Sequence, residues 1–328
     1  MRFTRKLEHF ALAAAMLMAG CGAAFAQSTA SYPNKPVRVL VTFPPGGSVD
    51  VVPRIVAQKL IERWGQPWVF DNRPGAGGQI AVDAVLKSPA DGYTLLVGPS
   101  GAIAINPSLY KKLAYDPVRD LAPIVSLAKA PMVLMVPVTW SGKVKDLIDQ
   151  SRSKSGQLNY GHGGNGTGMH LTGEMFKLVT GADLTPVPFK TSATVITTIA
   201  GGQLDAGWVD TNFALVGLKG GRVRAIAVAS KDRSPVLPDV PTVAESGFPG
   251  FDALGWFGFF APAGTPVDIV NRLNAEVRTV LAMADVRERI LATGNEPWWS
   301  TPEEFGVFVR AEIAKWARVV KASGASAD

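Results

Sequence analysis

Apolar runs of strand length alternate with segments of helical period from one end of the chain to the other. Val37–Thr42, Trp68–Asp71, Tyr93–Val97, Met132–Val136, Leu158–Tyr160, Leu204–Val209, Val223–Ala229 and Trp256–Phe260 read as strands. Several are rich in Val and Leu, as strands covered on both faces are. Between them lie segments with apolar residues three and four apart, such as Ile269, Val270, Leu273, Val277, Val280 and Leu281, and Phe305, Phe308, Val309, Ile313 and Trp316. Thr265-Pro266-Val267-Asp268 and Thr301-Pro302-Glu303-Glu304 each predict a helix start, with Thr as N-cap and Pro first in the helix. The alternation predicts an α/β fold. Two proline-framed extended segments, Pro131–Pro137 and Gly255–Pro262, are candidate crossings between two lobes.

The N-terminus departs from this pattern. Arg2, Arg5 and Lys6 precede an apolar stretch, Phe10 to Ala19, and small residues lead to Ala24-Phe25-Ala26. Those are the parts of a secretory signal peptide over residues 1–26, too short an apolar run for a spanning helix. Met18-Ala19-Gly20-Cys21 resembles a lipobox, the alternative in which Cys21 becomes a lipidated terminus; cleavage after Ala26 is preferred. Cys21 is the single cysteine of the 328 residues, so a disulfide scaffold is excluded. The formal net charge of +6 includes three basic groups and one acid in that leader. No basic run longer than Lys111-Lys112 appears, which argues against nucleic acid as a partner.

Three glycine-rich turns follow candidate strands and precede helices: Phe43–Asp50, Asp71–Gly78 and Gly161–Gly168. Glycine lets backbone approach a ligand, and the free N–H groups of a helix start suit phosphate or carboxylate. Gly161, Gly163 and Gly166 also match a dinucleotide-binding fingerprint, with Asp183 downstream; the preceding strand is a poor match to such a site. His170 and Glu174 share a helix face, but two ligands without a third read as a hydrogen-bonded pair, so no metal site is expected. No nucleophile motif stands out, and neither enzymatic activity nor a cofactor is expected. Pro53 inside the first helix predicts a late start or a bend.

Tyr32–Pro36, Phe43–Asp50, Asn72–Gly78, Ala90–Leu95, Asn159–Gly161, Gly164–Thr167, His170-Leu171, Val187–Lys190, Gly201–Asp205 and Phe260–Pro266, in this order, resemble the Bug-type extracytoplasmic solute receptors of tripartite tricarboxylate transporters. The resemblance implies a two-lobed periplasmic binding protein, type II-like, with two interlobe crossings: 27–130 and 252–328 as lobe 1, 131–251 as lobe 2. It implies a small organic carboxylate (di- or tricarboxylate, acidic amino acid or aromatic acid), held by amides, hydroxyls and water, and membrane permease subunits as partners of a monomer. Carried over, Gly46, Gly47, Ser48, Asp50 and Ser100 face the ligand from one lobe. Gly164, Asn165, Thr167, Thr191, Ser192 and Asp210 face it from the other, with His162 where relatives have a small hydroxyl residue. Phe43 and Trp208 either stack on a flat acid or pack in the core. Asp50 either caps and orients its loop, the favoured role, or receives a ligand hydroxyl or ammonium. Two alternatives stay open: an exported cofactor- or phosphate-binding enzyme using Gly161–Gly166, and a carboxylate sensor for a signalling kinase.

Overall fold

The structure is a computed structural model that describes residues 32–327; the leader and Cys21 lie outside the described residues. Two sheets organise it. The first has the order β11-β4-β10-β3-β1-β2 and the second β7-β6-β8-β5-β9. In the first, β1 (Val37–Val41) leads through α1 (Ser48–Trp64) to β2 (Trp68–Asn72) on one side. It then returns through α2 (Gln79–Leu86) to β3 (Thr94–Pro99) on the other side of β1. A short π-helical turn (Gly101–Ile105), α3 (Asn106–Leu109) and α4 (Pro117–Asp120) precede β4 (Leu121–Ala130).

At Pro131 the chain passes into the second sheet as β5 (Met132–Pro137), followed by α5 (Val144–Ser153). The pattern of the first sheet then repeats. β6 (Asn159–His162) leads through α6 (Gly168–Thr180) to β7 (Thr185–Pro188) on one side, then through α7 (Ser192–Ala200) to β8 (Ala206–Asp210) on the other. After α8 (Thr211–Lys219) and β9 (Val223–Val228) the chain returns as β10 (Gly255–Pro262), antiparallel to both β3 and β4. α9 (Val267–Leu281), α10 (Ala284–Ala292), the two-residue β11 (Glu296–Pro297) and α11 (Pro302–Ser323) complete the first lobe. Gly255 lies opposite Ala130, so the outgoing and returning segments run side by side.

Strand alternation explains the layers. In β5 and β8, Leu134 and Trp208 enter one buried cluster while Val133, Met135 and Val209 enter another, so the second sheet is covered on both faces. Three strands, β4, β7 and the two-residue β11, escape the periodicity. β4 contains Pro123 and is held by pairing along its length with β10. β7 carries Pro186 and Pro188 and sits at a sheet edge, where a missing N–H is tolerated.

The helix starts need two corrections. Thr301 caps α11 as expected, in a reciprocal box with Glu304. Thr265 does not cap α9, which begins at Val267; its hydroxyl donates to the Pro262 carbonyl at 2.8 Å. α1 starts at Ser48 and runs through Pro53, so of the late start or bend expected of that proline the late start does not occur.

Candidate functional site

In an open α/β sheet the crevice forms at the carboxyl ends of the strands, where successive connections leave a strand in opposite directions. Both sheets have such a point, between β1 and β3 and between β6 and β8. The loops there hold most of the sequence-derived candidates. Phe43, Gly46, Gly47, Ser48 and Asp50 follow β1, and Ser100 follows β3. His162, Gly164, Asn165 and Thr167 lie at the end of β6 and beyond it, Thr191 and Ser192 follow β7, and Asp210 ends β8.

Asp50 is buried and orients its loop. Its carboxylate accepts the Gly46 N–H at 3.0 Å, the Arg54 Nε at 2.9 Å and the Asn72 amide at 2.9 Å. Burial alone would raise its pKa; the bonds from Arg54, Asn72 and Gly46 outweigh that and hold it below the ordinary value. Asn72 also donates to the Phe43 carbonyl at 2.9 Å and accepts from Arg54 at 3.0 Å. The Gly46 amide is therefore engaged internally and is withdrawn from the donors expected to meet the ligand. Gly47 is the N-cap and carries no capping side chain, leaving the first N–H groups of α1, those of Ser48 and Val49, as free donors. Asn295 donates to the Ser48 hydroxyl at 3.0 Å from a segment 247 residues away.

The second loop is tied differently. Thr167 caps α6, accepting from the His170 N–H at 3.3 Å and donating to the Gly164 carbonyl at 2.7 Å. The Gly166 N–H donates to His170 Nδ1 at 3.1 Å. The rings of His162 and His170 stack with centroids 4.4 Å apart. Burial first, and then the neighbouring His170, push His162 down to about 4; burial also lowers His170. Both are neutral at pH 7, as the acceptor role of His170 Nδ1 requires. His170 Nε2 lies 3.9 Å from Glu174, whose closer partners are Tyr160 at 2.8 Å and Lys177 at 3.1 Å.

At the end of β8, Asp210 accepts from the Ser192 hydroxyl at 2.8 Å, and burial raises its pKa. Thr191 caps α7, with its hydroxyl on the Thr194 N–H at 3.2 Å. Asn165 is exposed. Two close approaches between the lobes lie near these loops. A Cβ on Gly166 would lie 2.3 Å from Leu109 of α3, and one on Gly294 would lie 2.8 Å from the Asn212 nitrogen of α8.

Two candidates are buried and present no surface to a solute. Trp208 is fully buried beneath α6, edge-on to Phe176, which corrects the stacking role considered for it: it has no face to offer a solute. His162 is equally buried; its ring shapes the loop from beneath through Gly164. Phe43, by contrast, is 45% exposed. Asp183, the acid of the nucleotide fingerprint, is held by Ser155 and Ser151. Among the described residues no group of three metal-ligating side chains exists. Sequence reading missed the parts played by Arg54, Asn72 and Asn295, and it read His170 as hydrogen-bonded to Glu174, whereas the ring is 3.9 Å from that acid and its hydrogen bond is to the Gly166 N–H. Asn72 lay in a recognised motif, but Asn295 carries no local signal.

Comparison with known proteins agrees with this architecture. Residues 52–325 match the model of the tripartite tricarboxylate transporter family receptor, TctC. Protein BugT of Bordetella pertussis is 38% identical over 94% of this chain and 96% of its own. The solved structure of R. palustris Rpa4515 with adipate is 36% identical, covers 90% of this chain and 99% of its own, and superposes with a TM-score of 0.81. MatC from Rhodopseudomonas palustris with bound malate is 33% identical, covers 88% of this chain and 100% of its own, with a TM-score of 0.76. The chain belongs to the tripartite tricarboxylate transporter receptor family, a family of periplasmic solute-binding proteins with the two-lobed fold.

Proposed function

We propose that the protein captures a small organic carboxylate in the periplasm, between lobes formed by 27–130 with 252–328 and by 131–251, and presents it to the membrane subunits of its transporter. The observation that carries this reading is the pair of strand-end loops, each opening a helix whose first N–H groups lack intrahelical acceptors. Relatives with adipate and malate bound support the chemical class. The cations nearest the first loop are engaged by acids: Arg54 by Asp50 and Arg73 by Asp71. A carboxylate is then held by amide and hydroxyl donors, which avoids the desolvation cost of a buried ion pair. On this reading the leader over residues 1–26 directs export and is removed, and the receptor works as a monomer that closes on its solute.

Calorimetric titration with adipate, malate, citrate, glutamate and benzoate tests the proposal. At least one acid binds with micromolar or tighter affinity. Because no formal cation grips it, the affinity changes less than about threefold between 0.05 and 0.5 M salt. A folded protein that binds none of these acids, or one whose affinity collapses with salt, overturns it. With Trp208 in the core, a change in its own emission reports lobe movement and not direct contact with the solute.

A further inference from the structure

Ser48 opens α1 at the carboxyl end of β1, and its oxygen accepts a hydrogen bond from the Asn295 amide at 3.0 Å. That direction is fixed by a third group. The same amide nitrogen lies 3.1 Å from the Thr293 carbonyl oxygen, which can only accept, and 2.8 Å from the Thr293 hydroxyl. The NH2 side of Asn295 therefore faces Ser48. Its hydroxyl has one hydrogen, and with Asn295 donating to the oxygen that hydrogen must point elsewhere. No protein acceptor takes it among the described residues, and the free N–H groups of Ser48 and Val49 lie beside it.

Asn295 is itself 2% exposed, so its own hydrogen bonds are shielded from water. Its position is set by a segment that touches both lobes. Gly294, with φ +79°, brings the backbone against the start of α8, directly after Asp210; a Cβ there would lie 2.8 Å from the Asn212 nitrogen. The segment thus joins the β1 loop of one lobe to the β8 end of the other.

We propose that Asn295 is a positioning residue for anion binding: by donating to the Ser48 oxygen from behind, it turns the Ser48 hydroxyl hydrogen toward the carboxylate. The inference rests on the receptor reading above and adds a donor that the helix amides alone do not supply. Asn295 need not touch the solute; it acts through Ser48.

A double-mutant cycle on the mature protein tests this, read by titration with adipate and malate and with thermal melts as a check on folding. Ser48→Ala and Asn295→Ala each weaken binding about tenfold, the worth of one hydrogen bond to a charged group. The double variant is no weaker than Ser48→Ala alone. Asn295→Asp, which keeps the shape but loses the donor, serves as a second variant should Asn295→Ala fail to fold. Its loss of affinity is about tenfold greater in the wild-type background than beside Ser48→Ala. A purely architectural role for Asn295 predicts instead that the losses multiply, to about a hundredfold in the double variant. That result, or an unchanged affinity in Asn295→Ala, overturns the proposal while the receptor reading stands. If the wild-type protein binds no acid of the panel, the receptor reading falls and this one falls with it.

Discussion

The two lobes open the same kind of helix with the same device built from different chemistry. In each, the third helical residue reaches back to accept the N–H of the glycine just before the N-cap. Asp50 takes Gly46 at 3.0 Å, and His170 takes Gly166 at 3.1 Å. Each loop gives up one amide to fix its own shape and keeps the next ones free. The first lobe uses an anion neutralised by Arg54 and steadied by Asn72. The second uses a neutral ring stacked on another neutral ring in a buried setting. The geometry of an anion loop therefore does not dictate its lock. What differs is the condition under which each lock fails.

The largest effect is expected from Asp50→Ala. It removes the acceptor of Gly46, Arg54 and Asn72 together, and should cost roughly 3 kcal/mol of stability and at least tenfold in affinity. Arg54 is 43% exposed and regains water, which keeps the loss below that of a fully buried pair. Urea unfolding and titration with adipate measure both. A loss under 1 kcal/mol would mean that the charged lock is dispensable and the comparison empty.

Acid distinguishes the two halves next. An unfolded chain protonates its histidines near pH 6.5, while folded His162 resists until about 4 and His170 is also lowered. Protons between those values favour the unfolded chain. The histidines' contribution is complete above about 6.5 and falls as the pH drops, that of His162 levelling off below about 4. For His162 the full change is on the order of 3 kcal/mol. Asp50 behaves differently: its folded pKa is depressed, so its contribution persists down to the ordinary carboxylate range and is lost only as pH falls further. Urea unfolding of ligand-free protein between pH 7.5 and 4.5 should show the decline, and His162→Gln with His170→Gln should flatten it. Protonated His170 also cannot accept from Gly166, so the second loop is the one to lose amide protection first. Earlier loss at Gly46 would reverse the assignment.

How much of this was legible in the sequence differs between fold and site. Strands such as Val37–Val41 and Met132–Pro137 announce themselves because both their faces are buried. Leu121–Ala130 does not, since its strand state is imposed by distant β10 and not by its own pattern. Glycine-rich turns stand between a strand and a helix at all three places where the sequence put them. The direction of individual side chains was harder. Trp208 and Asp210 share a parity on β8, yet α6 covers the first while the second ends the strand and opens the next helix. Periodicity gives the face of a strand but not where its cover stops. Asn295 was invisible because its partner lies 247 residues away, and no local rule predicts such a contact.

A third experiment probes where the second loop meets the first lobe. Gly166 has φ +75°, and a Cβ there would lie 2.3 Å from Leu109 Cδ2. Gly166→Ala should cost about 2 kcal/mol, part backbone strain and part clash. Adding Leu109→Ala makes room, so the double variant should lose less than the sum of the two single changes. Simple additivity by urea unfolding would show that the contact does not set how the loop is seated.

The smallest expected effect concerns the N-caps themselves. The first helix starts at Gly47 with no side-chain cap, whereas the second starts at Thr167 with one. Thr167→Gly makes the second end like the first. Glycine is a tolerated N-cap and loses only a few tenths of a kcal/mol on that account. The Thr167 hydroxyl also donates to the Gly164 carbonyl at 2.7 Å, and glycine adds backbone freedom to a loop already rich in it. The total should be about 1 kcal/mol in urea unfolding, with less than threefold loss of affinity for adipate. Because the cap does not titrate, the decline between pH 6.5 and 4 should survive unchanged in this variant. If Thr167→Gly instead costs as much as Asp50→Ala, or abolishes the acid decline, then the hydroxyl cap, and not the histidine, is what holds the second loop in place.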